Sequence, residues 1–545
     1  MLKVAILFLL VGSSTLAMAQ HKYYVYFKNK QGQTLDPYEY FHSNTIERRL
    51  KAGIPLVQKS DLPVRQEYIA AVNEMADSIT MVSRWFNMVC IYTQADLLPN
   101  IAQLPFVLKV ERAIPMQVHL SVVSSEPSPI SSLLQYQTER MEGSLFTEEG
   151  VFGKGVRIAV LDAGFRGANY HYSLEHLNIE KGYDFVKKDD YPYKGSNHGT
   201  SVLSTIGGKD FDTLMGLAPE ATYLLARTER HYRELAAEEE YWLAAAEWAD
   251  KHGADIINSS LGYTFKRYFR EDMDGTSLVA RAANRAFSKG IVVVVSAGNE
   301  GDSEWKYVGT PADADSVLSI GAIDPYTDLK NSFSSYGPNA KGILKPNLSA
   351  PGQTKVCLSN NNHAHAYGTS FSSPLVAGFV ACYMQIHPEK APFEIYQGVQ
   401  ECGNLHPYFD YAHGYGAPLA SKAIGLFTYA SSFKVVKESP YILAFVPLAD
   451  TSLSKESFIR LVEGKNLYLK IETLSGKMVH YRAFNPWKGI LYTDEVSWPH
   501  KHEKANWPHA HIELLFGEEL LQSGQHYIVS IHFEGNTQKI EIEWP

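Results

Sequence analysis

The chain has 545 residues, 45% of them hydrophobic, and a formal net charge of -9. That length exceeds what one core organises, so two to four domains are expected. The acidic balance, without any long basic run, excludes nucleic acid as an expected partner, and the four cysteines, Cys90, Cys357, Cys382 and Cys402, are too few for a disulfide scaffold.

Lys3 precedes the apolar run Val4 to Val11, and Ala17-Met18-Ala19 follows as a small-x-small pattern. Residues 1–19 therefore read as a secretory signal peptide, with an apolar run too short to span a membrane. No later stretch has the length of a transmembrane helix. Residues 20–115 read as a small α+β unit. Strand patterns are expected at Tyr23–Phe27, Ile79–Tyr92 and Phe106–Ile114, with helices at Pro37–Lys51, Gln66–Ala76 and Ala95–Gln103. Two strand-helix-strand repeats suggest a split βαβ sandwich. Residues 116–144 contain Ser-Ser-Glu-Pro-Ser-Pro-Ile-Ser-Ser at 124–132 and read as an exposed, cleavable linker.

Residues 145–428 alternate strands with helices, the pattern of a doubly wound parallel sheet covered on both faces. Strands are expected at Val156–Asp162, Ala221–Arg227, Asp255–Leu261, Ile291–Ser296 and Val317–Ile323. Helices are expected at His198–Ile206, Arg233–His252, Ser277–Lys289 and Ser370–Ile386. The first of these strands ends in Asp162, and Gly164 allows the turn after it. Asn-His-Gly-Thr-Ser-Val-Leu at 197–203 sets His198 at a helix start. The β-branched run at 291–296 delivers Asn299 just past its C-terminal end, where ligands bind in open α/β sheets. Tyr-Gly-Thr-Ser-Phe-Ser-Ser-Pro at 367–374 sets Ser370 at the head of an apolar helix, beside backbone N–H groups and the positive dipole end. Singly, these residues read as a strand-end cap, a loop histidine, a turn asparagine and an N-cap serine. Together they supply a nucleophile, a base to take its proton, a carboxylate to orient that base and an amide for an oxyanion. The order Asp, His, Ser is one of the known triad orders.

The four motifs resemble those of subtilisin-like serine peptidases, the subtilases, in family order over residues 145–428. Ala163, Phe371 and Ser372 depart from the commonest family residues without removing a catalytic group. The resemblance implies a subtilisin-like fold, with Asp162, His198 and Ser370 as the triad and Asn299 as oxyanion donor. It implies a groove in which Ser260, Leu261 and Gly262 pair with substrate as an added strand. Ser296, Ala297 and Gly298 would form the opposite wall of the primary pocket. Val308-Gly309-Thr310-Pro311 would form its floor, with Gly309 leaving room for a large side chain and Thr310–Pro311 cis. Residues 20–115 would be an inhibitory propeptide, against the competing reading of an unrelated binding domain. The implied substrates are proteins or peptides, and the chemistry requires no cofactor. Structural calcium occurs in the family; Asp272 and Asp274 are candidates, but their spacing does not complete an EF-hand loop and fits a solvated turn.

Cys382–Cys402 as a bridge and free buried thiols are both open readings. His363 and His365 precede Ser370 without a tie to the catalytic pattern. Trp-Pro-His-x-His recurs at 498–502 and 507–511, a candidate metal chelate or an exposed hairpin. Residues 429–545 carry short alternating runs at Leu467–Thr473, Val479–Phe484, His526–Phe533 and Lys539–Trp544, the pattern of a β-sandwich. Its Gly-Lys and Ser-Gly-x-x-Tyr patterns resemble the sorting domains of Bacteroidota secretion cargo, which would make outer-membrane secretion machinery a partner. An accessory substrate-binding domain is the alternative. The whole reads as a secreted serine endopeptidase made as a self-processed precursor.

Overall fold

The structure is a computed structural model and describes residues 21–113, 122–124, 130–230, 237–264, 268–427, 433–439, 442–447, 465–484, 512–515 and 521–544. The repeated His motifs at 498–511 and the segment 1–19 lie outside them. Two compact units emerge, residues 1–35 with 57–114, and residues 36–56 with 115–545.

The first unit is built on an antiparallel sheet with spatial order Ser78–Ser83, Met88–Thr93, His21–Phe27, Val107–Arg112. Tyr23, Val25, Phe27, Val89 and Ile91 pack with Val72 and Ile101 from the helices Gln66–Asn73 and Leu98–Ala102. The expected split βαβ order is present. The run read as one strand over 79–92 is a hairpin, turned at Asn87 with φ 52°, a conformation that Asn tolerates better than most residues.

Residues 36–56 fold with the second unit. The helix Ser43–Lys51 ends in basic residues, and two of them are buried. Arg48 Nη2 donates to Asp250 Oδ1 at 2.5 Å, Arg49 Nη2 donates to Asp250 Oδ2 at 2.7 Å, and Arg48 also donates to the Ala254 and Lys289 carbonyls.

The second unit is organised by a parallel sheet. Its order is Leu348–Pro351, Leu318–Ile323, Val292–Ser296, Ile256–Ser259, Arg157–Asp162, Thr222–Arg227, Asn178–Asp184. The chain moves outward from Arg157–Asp162 on one side, then returns to lay Ile256–Ser259 on its other side. The switch point therefore lies between these two strands, where α/β sheets bind ligands at their C-terminal ends. Both strands are wholly buried, as strands covered on both faces of a parallel sheet are. The helices His198–Gly207 and Thr369–Ile386 are buried against this sheet.

The stretch read as a linker is only partly one. Ile130–Glu139 is a helix, and Leu133, Leu134 and Met141 are buried in the core of the second unit. Gln137 fastens it, donating to the Met215 carbonyl at 2.6 Å and accepting from Lys355 N at 2.8 Å. The short strand Val122–Ser124 pairs with His363–Tyr367. Toward the C-terminus, the strands Leu467–Thr473, Met478–Phe484, His526–Phe533 and Asn536–Glu543 form one sheet, and Phe433–Ser439, Ile442–Pro447 and Ile512–Leu515 form another. Phe433 joins Leu469, Ile471, Val529 and Trp544 in one core, so the two sheets share an interior as a sandwich does. All four cysteines are free and buried. The Cys382 thiol donates to the Leu217 carbonyl at 3.2 Å, which removes the bridge reading. Among the described residues no helix is long and apolar enough to cross a membrane.

Candidate active site

Asp162 leaves the sheet at the switch point with its side chain fully buried. Its Oδ1 accepts from Ala163 N at 2.7 Å and faces His198 Nδ1 at 2.8 Å. Gly164 follows because the chain turns sharply. Its φ is +140°, and a Cβ there would lie 2.1 Å from the Lys194 carbonyl oxygen. His198 opens its helix, with its own N–H donating to Ser196 Oγ. The contact through Nδ1 leaves Nε2 buried and without a hydrogen-bond partner among the described residues. An imidazole so placed is oriented by the carboxylate and presents one nitrogen for proton transfer.

Ser370 lies in the first turn of Thr369–Ile386, after Gly368, and is 3% exposed. Phe371, next in the chain, stacks obliquely on the His198 ring with centroids 5.8 Å apart. Ser370 Oγ donates to the Ser260 carbonyl at 3.1 Å. Catalytic hydrogen bonds are often long or poorly aligned until substrate is bound. Asn299 Oδ1 accepts from Thr369 N at 2.8 Å and from Thr369 Oγ1 at 3.0 Å. Those two bonds hold the Asn299 amide through its oxygen. Thr369 was not singled out by sequence reasoning. Its position between Gly368 and Ser370 was the available signal.

The pocket segments are knitted together. Tyr263 N donates to Thr310 O at 2.8 Å and Thr310 N returns to Tyr263 O at 3.1 Å. Gly309 N donates to Ala297 O at 3.3 Å, and Gly298 N donates to Thr369 Oγ1 at 3.2 Å. Ser260, Leu261, Ser296 and Ala297 are buried, whereas a Cβ on Gly262 would meet only open space. Thr310–Pro311 is cis. Gly309 packs closely on the segment Tyr263–Thr264. A Cβ there would lie 2.5 Å from Thr264 Cγ2, so Thr264 already fills the space beside the glycine. Thr264 was missed because only the fold brings it to Gly309. Asp272 and Asp274 act as local caps, accepting from Phe269 N at 2.8 Å and Thr276 N at 3.0 Å.

Comparison with known proteins agrees with this architecture. Residues 153–413 match the subtilase family, and residues 22–128 match the peptidase S8 propeptide domain of Bacteroidota. The chain is 28% identical to subtilisin DY of Bacillus licheniformis over 274 residues, 49% of this chain and 90% of that protein. It is 30% identical to subtilisin E of Bacillus subtilis over 257 residues, 46% of this chain and 61% of that protein. The fold is shared with fervidolysin of Fervidobacterium pennivorans, a keratinolytic enzyme related to subtilisin. There the TM-score is 0.54 at 18% identity, covering 94% of this chain and 71% of that one. Fold and matches together define a serine peptidase of subtilisin-like architecture. Residues 153–413 are a subtilase-family domain, preceded in the chain by a propeptide domain of the Bacteroidota type.

Proposed function

We propose that this protein is a secreted serine endopeptidase, made as a precursor that cuts itself, with Asp162, His198 and Ser370 as its triad. The observation that carries the reading is the buried Asp162–His198 pair, 2.8 Å apart, whose Nε2 has no partner among the described residues. In this scheme Ser370 Oγ attacks the peptide carbonyl while His198 Nε2 takes its proton. Asp162 stabilises the imidazolium, and His198 then protonates the leaving amine. Asn299 Nδ2 and the Ser370 N–H bind the tetrahedral oxyanion. The edge Ser260–Gly262 and the wall Ser296–Gly298 hold a peptide in extended form, with the side chain before the scissile bond beside Gly309. No cofactor enters the scheme. The segment 1–19 directs export, residues 20–115 inhibit until cleavage, and the C-terminal sandwich addresses the protein to outer-membrane secretion machinery.

Ser370→Ala tests it. The variant should fold, lose its leader and persist as an uncut precursor without protein hydrolysis above background. Processing of this variant in a host lacking other peptidases would refute self-cleavage. Retained hydrolysis would show that another group is the nucleophile.

A further inference from the structure

Away from the active site, three residues with metal-binding side chains converge. His171, Cys357 and His363 each offer one ligand atom, and these atoms lie within 4.8 Å of one another. His171 and Cys357 are fully buried, and the His363 side chain is 10% exposed. We infer that His171, Cys357 and His363 form a binding site for a thiophilic divalent cation of the zinc type.

The hydrogen bonds around the cluster select a ligand atom from each ring. His171 Nε2 faces the Asn362 carbonyl at 3.0 Å, which fixes it as the protonated nitrogen and leaves Nδ1 as the lone-pair side. Nδ1 now accepts from Ser173 N at 3.2 Å. His363 Nδ1 faces Tyr172 Oη at 3.2 Å and lies 4.0 Å from Asp210 Oδ1, while Nε2 meets Ser173 Oγ at 2.9 Å. The Ser173 hydroxyl thus occupies the side of His363 Nε2 that a cation would take.

The outer groups suit a metal as well. Metal-bound histidines commonly pass their second N–H to an oxygen acceptor; here the Asn362 carbonyl stands in that position for His171, and Tyr172 Oη, itself bonded to Asp210, for His363. Asp210 is itself held, accepting from Tyr172 Oη at 3.1 Å and from Lys355 Nζ at 2.6 Å. A set of two imidazoles and one thiolate fits zinc with one coordination position left over. His363 lines a cavity of about 1360 Å³ together with Asp210, Phe211, Lys355 and Asn362, which gives an ion its entry and that position its water. Binding forms the Sγ–metal bond, and the thiol proton leaves to solvent through the cavity.

The site would also brace the catalytic histidine's helix. Cys357 O accepts from Ser201 Oγ at 2.8 Å, and Cys357 N donates to Ser204 Oγ at 3.1 Å. Both serines lie in the helix His198–Gly207.

The test uses the full-length Ser370→Ala protein, stripped of metal and titrated with cobalt(II) and then zinc(II). Cobalt should give a thiolate-to-metal charge-transfer band in the near ultraviolet that saturates at one equivalent and is erased by zinc. Cys357→Ser should lose the band and one equivalent of bound zinc. That stoichiometric difference is independent of any ion held by the 498–511 histidines. His363→Gln keeps the thiol yet should weaken zinc binding, and Tyr172→Phe, which removes the oxygen that faces His363 Nδ1, should weaken it by roughly 10–100-fold. Near-ultraviolet circular dichroism establishes that each variant is folded. No thiolate band in the folded parent, a band that survives Cys357→Ser, or unchanged affinity in His363→Gln would each overturn the site.

Discussion

The grip of the helix Ser43–Lys51 on Asp250 can be broken from the enzyme's side. Asp250 accepts from Arg48 at 2.5 Å and from Arg49 at 2.7 Å, and the side chains are 2%, 5% and 0% exposed. Burial pulls the Arg48 guanidinium below its ordinary range, and the Asp250 charge works against that pull. Asp250→Ala leaves two buried cations without their carboxylate. Removing one partner of a buried ion pair costs about 3–5 kcal/mol. At about 1.4 kcal/mol per tenfold, inhibition by an added propeptide should weaken by roughly two to four orders of magnitude. The free mature enzyme holds neither guanidinium, so its hydrolysis of a small peptide should change little. The assay is inhibition of the mature Asp250→Ala enzyme by residues 20–128 supplied in trans. Arg48→Ala or Arg49→Ala on the propeptide should mimic the effect without adding to it in full, because the partners are shared. An unchanged inhibition constant for Asp250→Ala would refute the claim that this contact holds the propeptide.

Asn299→Ala should bind substrate normally and lose roughly 10²–10³-fold in kcat, a magnitude taken from subtilisin itself; wild-type turnover in a folded variant would move the oxyanion donor elsewhere. Thr264→Gly should widen the space beside Gly309 and shift a peptide-library profile toward larger apolar residues before the scissile bond. A profile dominated by charged residues would contradict the pocket assignment. Burial pushes the Asp313 carboxyl up from 3.8 to about 6. The folded state therefore prefers the neutral acid, so this stabilisation is complete below pH 3.8 and lost as pH rises through 6. Asp313→Asn keeps an acceptor for Gly275 N, now at 2.8 Å, and should gain on the wild type by up to about 3 kcal/mol between pH 4 and 7. Urea unfolding across that range measures the gain, and a pH-independent difference would exclude Asp313 as its source.

The parts of the fold legible in the sequence were those written locally. The wholly apolar runs before Asp162 and Asn299 could only be buried strands, and the residues after them fell at the strand ends. Gly368-Thr369-Ser370 before an apolar run announced a helix start. The helix Ile130–Glu139 was hidden because Ser131, Ser132 and the prolines just before it carry a linker composition. Its role depends on Leu133 and Leu134 finding a core that lies far along the chain. The hairpin at Asn87 was read through as one strand because β-type residues flank it on both sides. Thr264 beside Gly309, Thr369 holding Asn299, and His171 beside Cys357 and His363 are meetings made by tertiary structure, and no spacing rule encodes them.

The helix Ile130–Glu139 also limits where the mature protein can begin. A cut beyond Leu133 would strip Leu133, Leu134 or Met141 from the core they help fill, so under the proposed processing the new N-terminus should fall ahead of Leu133. The severed piece then keeps two footholds in the second unit. Arg48 and Arg49 close on Asp250, and Val122–Ser124 lies along the strand that runs into Ser370. Two modest holds on one tether behave as a chelate, because release of one leaves the other at high local concentration. Under the proposed processing, scission and activation would be separate events. The clock for activity would then be set by how fast the cut piece is lost or digested, and a cell could store the cleaved enzyme silent.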